Sequence, residues 1–306
     1  MGERALIDWL RRRISPNPAV VIGPGDDAAL LARRGDIAVT ADAFLEGTHF
    51  PHGADPAKVG HKVIAASVSD IAAMGCRPLA SFVTVGLPQG TSETAVQALA
   101  EAMVAAAEKY GAPIAGGDVT SWNGPLSLSV TVLGDTENFA PARRSGAKPG
   151  DHILVTGELG GSLLGRHFEA PPRVQEGLFL NRQAGVHSMI DISDGLATDL
   201  GHLAEESGVG AVIRETAVPV AAAAAELSRS DGVPPLDHAL NDGEDFELLC
   251  TAPPAAARAA FARWNFELPL TEIGEIIEGH AVLIERRDGT REPLEPGGYE
   301  HHWQKR

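Results

Sequence analysis

Cysteine is scarce in this chain of 306 residues, which contains only Cys76 and Cys250. Small secreted proteins that rely on disulfide bonds are much richer in cysteine, so the chain does not belong to that class. The two residues stand far apart in apolar surroundings, which favours buried thiols over a disulfide bond. This cysteine usage predicts a reducing, cytoplasmic environment.

Long apolar runs are also missing, since no segment reaches the roughly 18 apolar residues that a membrane span requires. The first residues, MGERALIDWLRRR, carry charge without the apolar stretch typical of a signal peptide. We therefore expect neither a signal peptide nor an association with a membrane.

Positive charge is in short supply as well. The chain has 25 lysines and arginines against 41 aspartates and glutamates, a formal net charge of −16, and no basic stripe offsets it. Such a surface repels DNA and RNA, which argues against a nucleic-acid-binding protein. It also repels nucleotides and other phosphates, so a ligand of that kind needs cations to accompany it.

The residues that are present are typical of a globular protein with many turns. Hydrophobic residues make up 44% of the chain and charged ones 22%, with 34 glycines and 21 prolines. The length suggests two domains. The Pro- and Gly-containing segment at 136–151, TENFAPARRSGAKPGD, has the composition of a junction between them. We therefore predict one domain over 1–137 and another over 138–306.

Strand and helix patterns alternate in both halves of the chain. Strands are predicted at AVVIG, IAVTA, SFVTVGL, LSLSVTVLG, HILVTG, SMIDI, GAVIRE and DFELLCTA, and near 271–276 and 280–285. Helices are predicted near 56–74, 92–110, 174–185, 195–207, 219–229 and 254–264. This alternation predicts an α/β (α+β) fold.

Aspartates recur where a strand or helix gives way to glycine or a loop. The segments are GPGDDAALL (Asp26, Asp27), TADAFLEGTHF (Asp42), SVSDIAAMG (Asp70), AGGDVTSW (Asp118) and DISDGLATD (Asp191, Asp194). Singly, most of these residues can be turn formers, and Asp194 can be the N-cap of the helix that follows it. Asp70 fits no turn, because it shares a helix face with Val63 and Ser67. A carboxylate on such a face needs a hydrogen-bonded partner, a cation or a cleft.

If these carboxylates converge, their mutual repulsion must be neutralised. Mg²⁺ prefers oxygen ligands and bridges carboxylates to phosphates, so we predict that Asp70 faces a metal-filled cleft. Glycines near the aspartates leave backbone N–H groups free to hold a phosphate, although a plain turn explains each of them as well. They are Gly23, Gly25, Gly116, Gly117 and Gly195. The chain has neither a Walker A loop nor a Rossmann glycine fingerprint.

Seven segments of the chain resemble, in order, those of the thiamine-monophosphate kinase family. They are GPGDDAALL, TADAFLEGTHF, SVSDIAAMGCRP, AGGDVTS, RRSGAKPGD, DISDGLATDLGHL and NDGEDFELL. That family belongs to the superfamily of aminoimidazole ribonucleotide synthetase and selenophosphate synthetase. The resemblance implies ATP-dependent phosphorylation of thiamine monophosphate to thiamine diphosphate. It also implies a homodimer whose N-terminal domains pair their sheets into a barrel, with a C-terminal α/β domain closing the active site.

The resemblance assigns roles to individual residues. Metal ligands fall on Asp27, Thr40, Ala41 (through its backbone oxygen), Asp42, Asp70, Asp118, Asp191 and Asp194. ATP contacts fall on Tyr110, Gly117, Arg144 and Ser193, and contacts to thiamine monophosphate on His49, Glu244 and Tyr299. The chain departs from the family's pattern at Ala41, Ser67, Val119, Asp242 and Phe246. Without the resemblance, His49, Glu244, Tyr299 and Arg144 have ordinary packed, solvated or terminal positions as their simplest interpretation.

The implied reaction asks the protein mainly for positioning and charge neutralisation. A phosphate monoester, with a second pKa of about 6, is already largely ionised at neutral pH, so no strong general base is needed. We predict direct in-line transfer assisted by several Mg²⁺ ions. The catalytic set would be Asp42, Asp70, Asp118 and Arg144.

Other members of the superfamily are alternatives. Selenophosphate synthetase would need a cysteine within the first 50 residues, and the hydrogenase-maturation relative would need one at the C-terminus, and this sequence has neither. Aminoimidazole ribonucleotide synthetase stays open, as does a non-catalytic nucleotide- or metal-binding regulator.

Overall fold

The computed structural model describes residues 12–14, 18, 20–22, 30–31 and 36–298, and the structural statements below concern these residues. The chain divides into two compact units. The first comprises Met1–Ala72 and Cys76–Ala140, and the second Ala73–Gly75 and Pro141–Arg306. The chain therefore passes from the first unit to the second between Ala140 and Pro141, within the Pro- and Gly-containing segment.

Strands and helices alternate along both units. The strands are β1 (Val20–Ile22), β2 (Leu30–Leu31), β3 (Ile37–Leu45), β4 (Arg77–Pro88), β5 (Ile114–Trp122), β6 (Ser127–Asp135), β7 (His152–Thr156), β8 (Ser188–Asp191), β9 (Gly210–Arg214), β10 (Leu248–Ala252), β11 (Leu270–Ile277), β12 (Val282–Glu285) and β13 (Arg291–Pro293). The helices are α1 (Pro56–Ala73), α2 (Glu93–Lys109), α3 (Val174–Phe179), α4 (Leu196–Ser207), α5 (Ala222–Asp231), α6 (Pro235–Asn241) and α7 (Pro254–Arg263). A π-helical turn, Leu180–Ala184, continues α3, and short 3₁₀ turns occupy Ser162–Leu164, Arg166–Phe168 and Glu215–Ala217.

The first unit contains a four-stranded sheet in the order β3–β6–β4–β5, in which only β4 and β5 are parallel. Burial alternates along β3, where Ala38 and Phe44 are buried and Val39 is exposed. Because successive side chains of a strand point to opposite faces, Thr40 and Asp42 share the inner face with Ala38 and Phe44.

Helix α1 packs tightly inside this unit. It begins after Asp55, whose carboxylate accepts the Ala57 N–H at 2.9 Å, with Pro56 at its first position. A Cβ added at Gly60 would lie 2.5 Å from the carbonyl oxygen of Leu99 on α2, and one added at Gly134 of β6 would lie 2.6 Å from Ile71. Close approach at these glycines holds α1 against both α2 and the sheet.

The second unit contains a seven-stranded sheet in the order β13–β12–β9–β11–β7–β10–β8, in which only β9 and β12 are parallel. Both faces of its centre are buried. On β7, Ile153 and Val155 belong to a core that includes Leu200 of α4, whereas Leu154 belongs to a separate core that includes Ala257 of α7. Helices therefore cover the sheet on both sides, which confirms the predicted α/β class.

Four elements were not predicted, among them the two-residue strand β2. Strand β5 contains the run Gly116–Gly117–Asp118, whose composition indicates a turn, and the short elements α6 and β13 gave no clear periodicity. The predicted strand DFELLCTA begins only at Leu248. Glu244 and Phe246 both have φ of 52°, a left-handed conformation that interrupts an extended strand.

Cys76 and Cys250 are free and buried, as the sequence indicated. Burial raises the pKa of the Cys250 thiol to about 12, so this side chain is uncharged and unreactive at neutral pH. None of the helices in the described part of the chain combines the length and apolarity needed to cross a bilayer.

Candidate active site

The inner face of the first unit brings two of the predicted acidic residues together. Thr40 and Asp42 lie two residues apart on β3, and Asp70 comes from α1. The Thr40 hydroxyl donates a hydrogen bond to Asp70 Oδ2 at 2.5 Å. Asp70 is close enough to Asp42 for its charge to act on that carboxyl group. The strand and the helix therefore direct oxygen atoms from three side chains toward one region.

Asp42 lies in an environment that disfavours its charge. Burial raises its pKa from 3.8 to about 6, with the charge of Asp70 adding to the shift and a hydrogen bond from Ser67 opposing it. Its Oδ2 atom is buried and has no hydrogen-bond partner among the described residues. A buried oxygen without a partner next to a second carboxylate is suited to a cation, and a hard cation such as Mg²⁺ matches this set of donors.

Asp118 and Gly117 lie on the neighbouring strand β5. Strand pairing places Gly117 in the row that runs from Asp42 through β6 and β4. Gly117 has φ of 153°, and an added Cβ would lie 1.9 Å from the Val83 carbonyl oxygen, so only glycine fits there. Asp118 follows in the adjacent row beside Thr84 and is exposed. Ala41 is likewise exposed, on the outer face of β3. Metal binding by these two residues stays a prediction.

Tyr110, predicted to contact ATP, is the C-terminal cap of α2. Its hydroxyl lies 2.9 Å from His61 Nε2 on α1, and the Lys109 ammonium stands 5.0 Å from the centre of its ring. The tyrosine ring is therefore oriented by contacts from two helices.

His49, predicted to contact thiamine monophosphate, lies in the turn that follows β3. Its Nδ1 atom accepts a hydrogen bond from the Leu45 N–H at 2.9 Å. Its backbone carbonyl accepts a hydrogen bond from Lys62, a lysine of α1 that is 1% exposed. Sequence reasoning missed Lys62, although a lysine on a largely apolar helix was a detectable signal.

In the second unit, the last residue of β8 and the loop after it provide three of the predicted residues. Asp191 ends the strand and is buried, and Ser193 and Asp194 follow it. Asp199 of α4 fixes this loop, because its Oδ2 atom accepts the backbone N–H groups of Ser193 and Asp194, each at 3.0 Å. The N-cap of α4 is Gly195 rather than Asp194. The side chain of Asp194 therefore does not cap α4.

A histidine, His202, and an arginine, Arg144, lie near this loop. Asp194, Asp199 and His202 each have a potential metal-ligand atom, and these three atoms lie within 4.8 Å of one another. The hydrogen bond with Asp199 raises the pKa of His202, although burial and the positive charge of Arg144 oppose the shift. Arg144, which is exposed, is therefore close enough to act electrostatically on this cluster.

The loop that carries Glu244 joins the same region. The Glu244 N–H donates to the Ser193 carbonyl at 2.7 Å, and its carboxylate lies 3.0 Å from His167 Nδ1. A Cβ added at Gly243 would lie 2.6 Å from the same Ser193 carbonyl oxygen. The second unit therefore places Glu244 beside the loop that carries Ser193 and Asp194.

Two departures from the family's pattern have structural roles in this loop. Asp242 accepts the Gly161 N–H at 2.8 Å and pairs with His238 Nδ1 at 2.8 Å. Phe246 is buried, and its N–H donates to the Ile192 carbonyl at 2.9 Å. The Asp242 side chain and the Phe246 backbone thus hold this loop, while the Phe246 side chain is buried.

Sequence reasoning also missed a buried charge cluster behind Glu244. Glu247, which is 1% exposed, pairs with Arg166 and Arg173 and accepts a hydrogen bond from Thr156. Burial raises the pKa of the adjacent Asp245 to about 7, although Arg166 and the Gly160 N–H oppose the shift. In the sequence, the acidic residues of GEDFELL that lead into an apolar strand could have indicated this buried cluster.

Asp27 and Tyr299, the remaining predicted residues, lie outside the residues that the structure describes. Their roles as metal ligand and substrate contact stay predictions.

Comparison with known proteins gives a consistent result. Family models match both halves of the chain: AIR synthase related protein, N-terminal domain, over residues 25–136, and AIR synthase related protein, C-terminal domain, over residues 148–285. A thiamine-monophosphate kinase from Rhodopirellula baltica is 38% identical over 311 residues, which cover 98% of this chain and 97% of that protein. The one from Escherichia coli is 34% identical over 326 residues, 98% of each chain.

Solved structures agree with the sequence matches. The crystal structure of thiamine-monophosphate kinase from Stenotrophomonas maltophilia has a TM-score of 0.80 at 36% identity, covering 93% of this chain and 96% of that one. The structure of AaThiL complexed with AMPPCP and TMP has a TM-score of 0.77 at 30% identity, covering 87% of each. The hydrogenase maturation protein HypE, 24% identical with a TM-score of 0.78, shares the fold.

The matches of both halves define the class of the chain as an AIR synthase related protein. Within this class, the chain is more than 30% identical to thiamine-monophosphate kinases over nearly its whole length. It therefore belongs to the thiamine-monophosphate kinase family.

Proposed function

We propose that this protein transfers the terminal phosphoryl group of ATP to thiamine monophosphate, giving thiamine diphosphate. The observation that carries the proposal is full-length similarity to thiamine-monophosphate kinases, one of which is solved with AMPPCP and TMP. The AMPPCP in that complex is an ATP analogue, so the two ligands occupy the roles of donor and acceptor. A protein of net charge −16 that takes two phosphorylated ligands needs positive charge in its site.

Mg²⁺ is the cation that the residues fit. The unpartnered Oδ2 of Asp42, together with the carboxylate of Asp70, forms an oxygen-only donor set that is unfavourable without a cation. When bound, Mg²⁺ would neutralise phosphate charge and orient the phosphates. In the first unit, Thr40, Ala41 and Asp118 are further ligand candidates. In the second unit, they are Asp191 and Asp194, and Asp27 completes the proposed set.

The chain's own groups position the two substrates. Gly117, Tyr110, Ser193 and Arg144 are proposed ATP contacts, and His49, Glu244 and Tyr299 are proposed contacts to thiamine monophosphate. Arg144 supplies a forked, permanently charged guanidinium suited to a phosphate. The attacking phosphate oxygen is already ionised at neutral pH, since its second pKa is about 6, so the transfer is direct and in line. No phosphorylated enzyme forms.

A homodimer is part of the proposal. The outer face of the first unit's sheet exposes four large apolar side chains, Ile37, Val39, Leu45 and Trp122, which are 40%, 59%, 40% and 43% exposed. Such a patch is typical of a surface that another protein covers. Pairing of two such faces, as in the barrel that the family resemblance implies, would bury them.

The cytoplasmic location inferred from cysteine usage likewise stays a prediction.

The test is to mix purified protein with ATP, Mg²⁺ and thiamine monophosphate and to measure thiamine diphosphate by chromatography. We expect stoichiometric formation of thiamine diphosphate and ADP, and loss of both without Mg²⁺. A parallel reaction with the aminoimidazole-pathway substrate separates the enzymatic alternative. ATP binding without turnover of either substrate would support a non-catalytic regulator and refute the kinase proposal.

A further inference from the structure

His238, a histidine of α6, lies between two carboxylates of the second unit. The residue is 5% exposed. Its Nδ1 atom lies 2.8 Å from Oδ1 of Asp242, the residue that follows α6 as its C-terminal cap. Its Nε2 atom lies 3.3 Å from each oxygen of Asp231, the last residue of α5. Both nitrogens of a buried ring therefore face a hydrogen-bond acceptor.

Each of the two carboxylates is also bound to a backbone N–H group. Asp242 accepts the Gly161 N–H through Oδ2 at 2.8 Å, so its two oxygens serve different partners. Asp231 accepts the Val233 N–H through Oδ1 at 3.0 Å, and this bond lowers the pKa of the Asp231 carboxyl group. Neither carboxylate can turn away from the ring without disturbing its bond to the backbone.

This geometry determines the charge of the ring. An ionised carboxylate can only accept hydrogen bonds. A neutral imidazole has one N–H and one lone pair, so it donates to one carboxylate and directs its lone pair at the other. An imidazolium donates from both nitrogens. The contacts of His238 with Asp231 and Asp242 are therefore satisfied together only when the ring is positively charged.

The charges around His238 favour the same form. Burial lowers the pKa of His238, but the hydrogen bonds and charges of Asp242 and Asp231 outweigh it and raise the pKa above 6.5. Asp245 interacts electrostatically with Asp242 in turn, and its own cationic partner is Arg166 at 3.9 Å. His238 is thus the cation that Asp231 and Asp242 share.

We propose that His238 is a pH-sensitive link, which as an imidazolium ties the turn after α5 to the loop of Gly161 and which opens when the ring loses a proton. In the neutral ring, Nδ1 can still donate to Asp242, but the Nε2 lone pair faces Asp231. Because the contact with Asp231 is also the longer one, the turn at Asp231–Val233 is released first. Asp242 is one of the departures from the family's pattern, so the resemblance does not imply this link.

The proton is measured directly by ¹⁵N NMR of protein labelled at histidine, followed through a pH titration. The His238 signal is identified by its loss in His238→Gln. We expect both ring nitrogens to be protonated at the pH where the histidines of the urea-unfolded protein are half protonated. Asp231→Asn and Asp242→Asn should each lower the pKa of His238. A pKa at or below that of the unfolded protein, or one that neither substitution changes, would overturn the proposal.

The dependence of stability on pH is a second measurement. Because the pKa of folded His238 lies above the unfolded 6.5, its stabilisation is complete below that pH and is lost as pH rises through the folded pKa. The difference in unfolding free energy between the wild type and His238→Gln should therefore shrink above pH 6.5. His280→Gln replaces an exposed histidine of the same unit and should follow the wild type at every pH. A difference that does not change with pH would contradict the proposal.

Hydrogen exchange in the wild type tests the link even if the variants fail to fold. After correction for the intrinsic effect of pH, we expect the Val233 N–H to lose protection as His238 deprotonates. The Leu248 N–H, which donates to Thr156 inside the sheet, should keep its protection. Equal behaviour of the two amides would refute release of the turn. The proposal does not depend on the kinase reaction, so a protein that makes no thiamine diphosphate but titrates as expected refutes only the proposed function.

Discussion

Asp199 holds the backbone of Asp194 from within the first turn of α4: its Oδ2 atom accepts the Asp194 N–H at 3.0 Å. The same oxygen accepts the Ser193 N–H at 3.0 Å, and the side chain is 2% exposed. Both N–H groups precede the N-cap Gly195, so this is not an N-cap bond: from inside the helix, Asp199 fixes the backbone of the loop that leads into it. The two residues whose direction it sets are the proposed ATP and metal contacts.

Replacing Asp199 should therefore weaken nucleotide binding. Asp199→Ala removes the oxygen that accepts both N–H groups, and we expect the dissociation constant for Mg²⁺–ATP, measured by calorimetry, to rise about tenfold or more. Asp199→Asn keeps one oxygen for the two N–H groups and should restore much of the affinity. His202→Asn is the control for loss of the neighbouring ion pair. Wild-type affinity in Asp199→Ala would show that the loop does not need this side chain.

Asp42 predicts a dependence of stability on pH in metal-free protein. Its pKa is 3.8 unfolded and about 6 folded, so the folded state binds the proton more tightly. The resulting stabilisation is complete below pH 3.8 and is lost as pH rises through about 6. Asp42→Asn should remove this dependence and stabilise the metal-free protein at pH 7.5 by up to about 3 kcal/mol. Urea unfolding at several pH values measures this.

The same variant should respond less to metal. Mg²⁺ that binds only the folded state raises its stability, and Asp42→Asn removes one proposed ligand. We expect the wild type to gain thermal stability with Mg²⁺ and Asp42→Asn to gain less, with loss of turnover. Glu108→Gln, which removes an exposed carboxylate of α2, should behave as the wild type. An equal gain in Asp42→Asn would show that the cation binds elsewhere.

Asp70→Asn separates charge from hydrogen bonding. The asparagine oxygen can still accept the Thr40 hydroxyl, so the fold should persist. The lost charge should reduce turnover about 100-fold or more, in the range found when one electrostatic group is removed from an active site. Circular dichroism checks the fold, and an enzyme-coupled assay for ADP measures the turnover rate. Near-normal turnover would count against a metal site at Asp70.

The charge cluster around Glu247 predicts a large effect on stability. Removing a buried partner leaves the others without compensation, so Glu247→Gln should lower the free energy of unfolding by about 3 kcal/mol. Glu292→Gln breaks an exposed pair with Arg286 and should cost less than about 1 kcal/mol. Urea unfolding of both variants measures the difference. Equal effects would show that the buried pairs contribute no more than a surface pair.

The sequence predicted those features that depend on local pattern. The periodicity of α1 located Asp70 correctly on a helix. The predicted strand IAVTA ended just before Asp42, whereas β3 continues to Leu45 and carries Asp42 within it. Strand β5 was missed because Gly116 and Gly117 indicate a turn locally, whereas close approach to Val83 is what requires glycine at position 117. That requirement exists only after the strands have paired.

The supporting residues could not be predicted, because their partners are set by tertiary contacts. The contacts that Lys62 and Asp199 make to the loops of the site go to backbone groups. Backbone acceptors and donors occur at every residue, so no spacing in the sequence singles out His49 or Asp194 as their targets. Only the packing of α1 and α4 determines these contacts.

The exposed face of β3 predicts how the protein associates. Val39, the third residue of β3, is 59% exposed and shares an apolar face with Ile37 and Leu45. If two copies cover this face, Val39→Asp buries two charges in the interface and should give a monomer by light scattering after size exclusion. Val233→Asp introduces the same charge at an exposed apolar residue of the second unit, and it should remain a dimer. A dimer that survives Val39→Asp but not Val233→Asp would place the interface on the second unit instead of on the sheet.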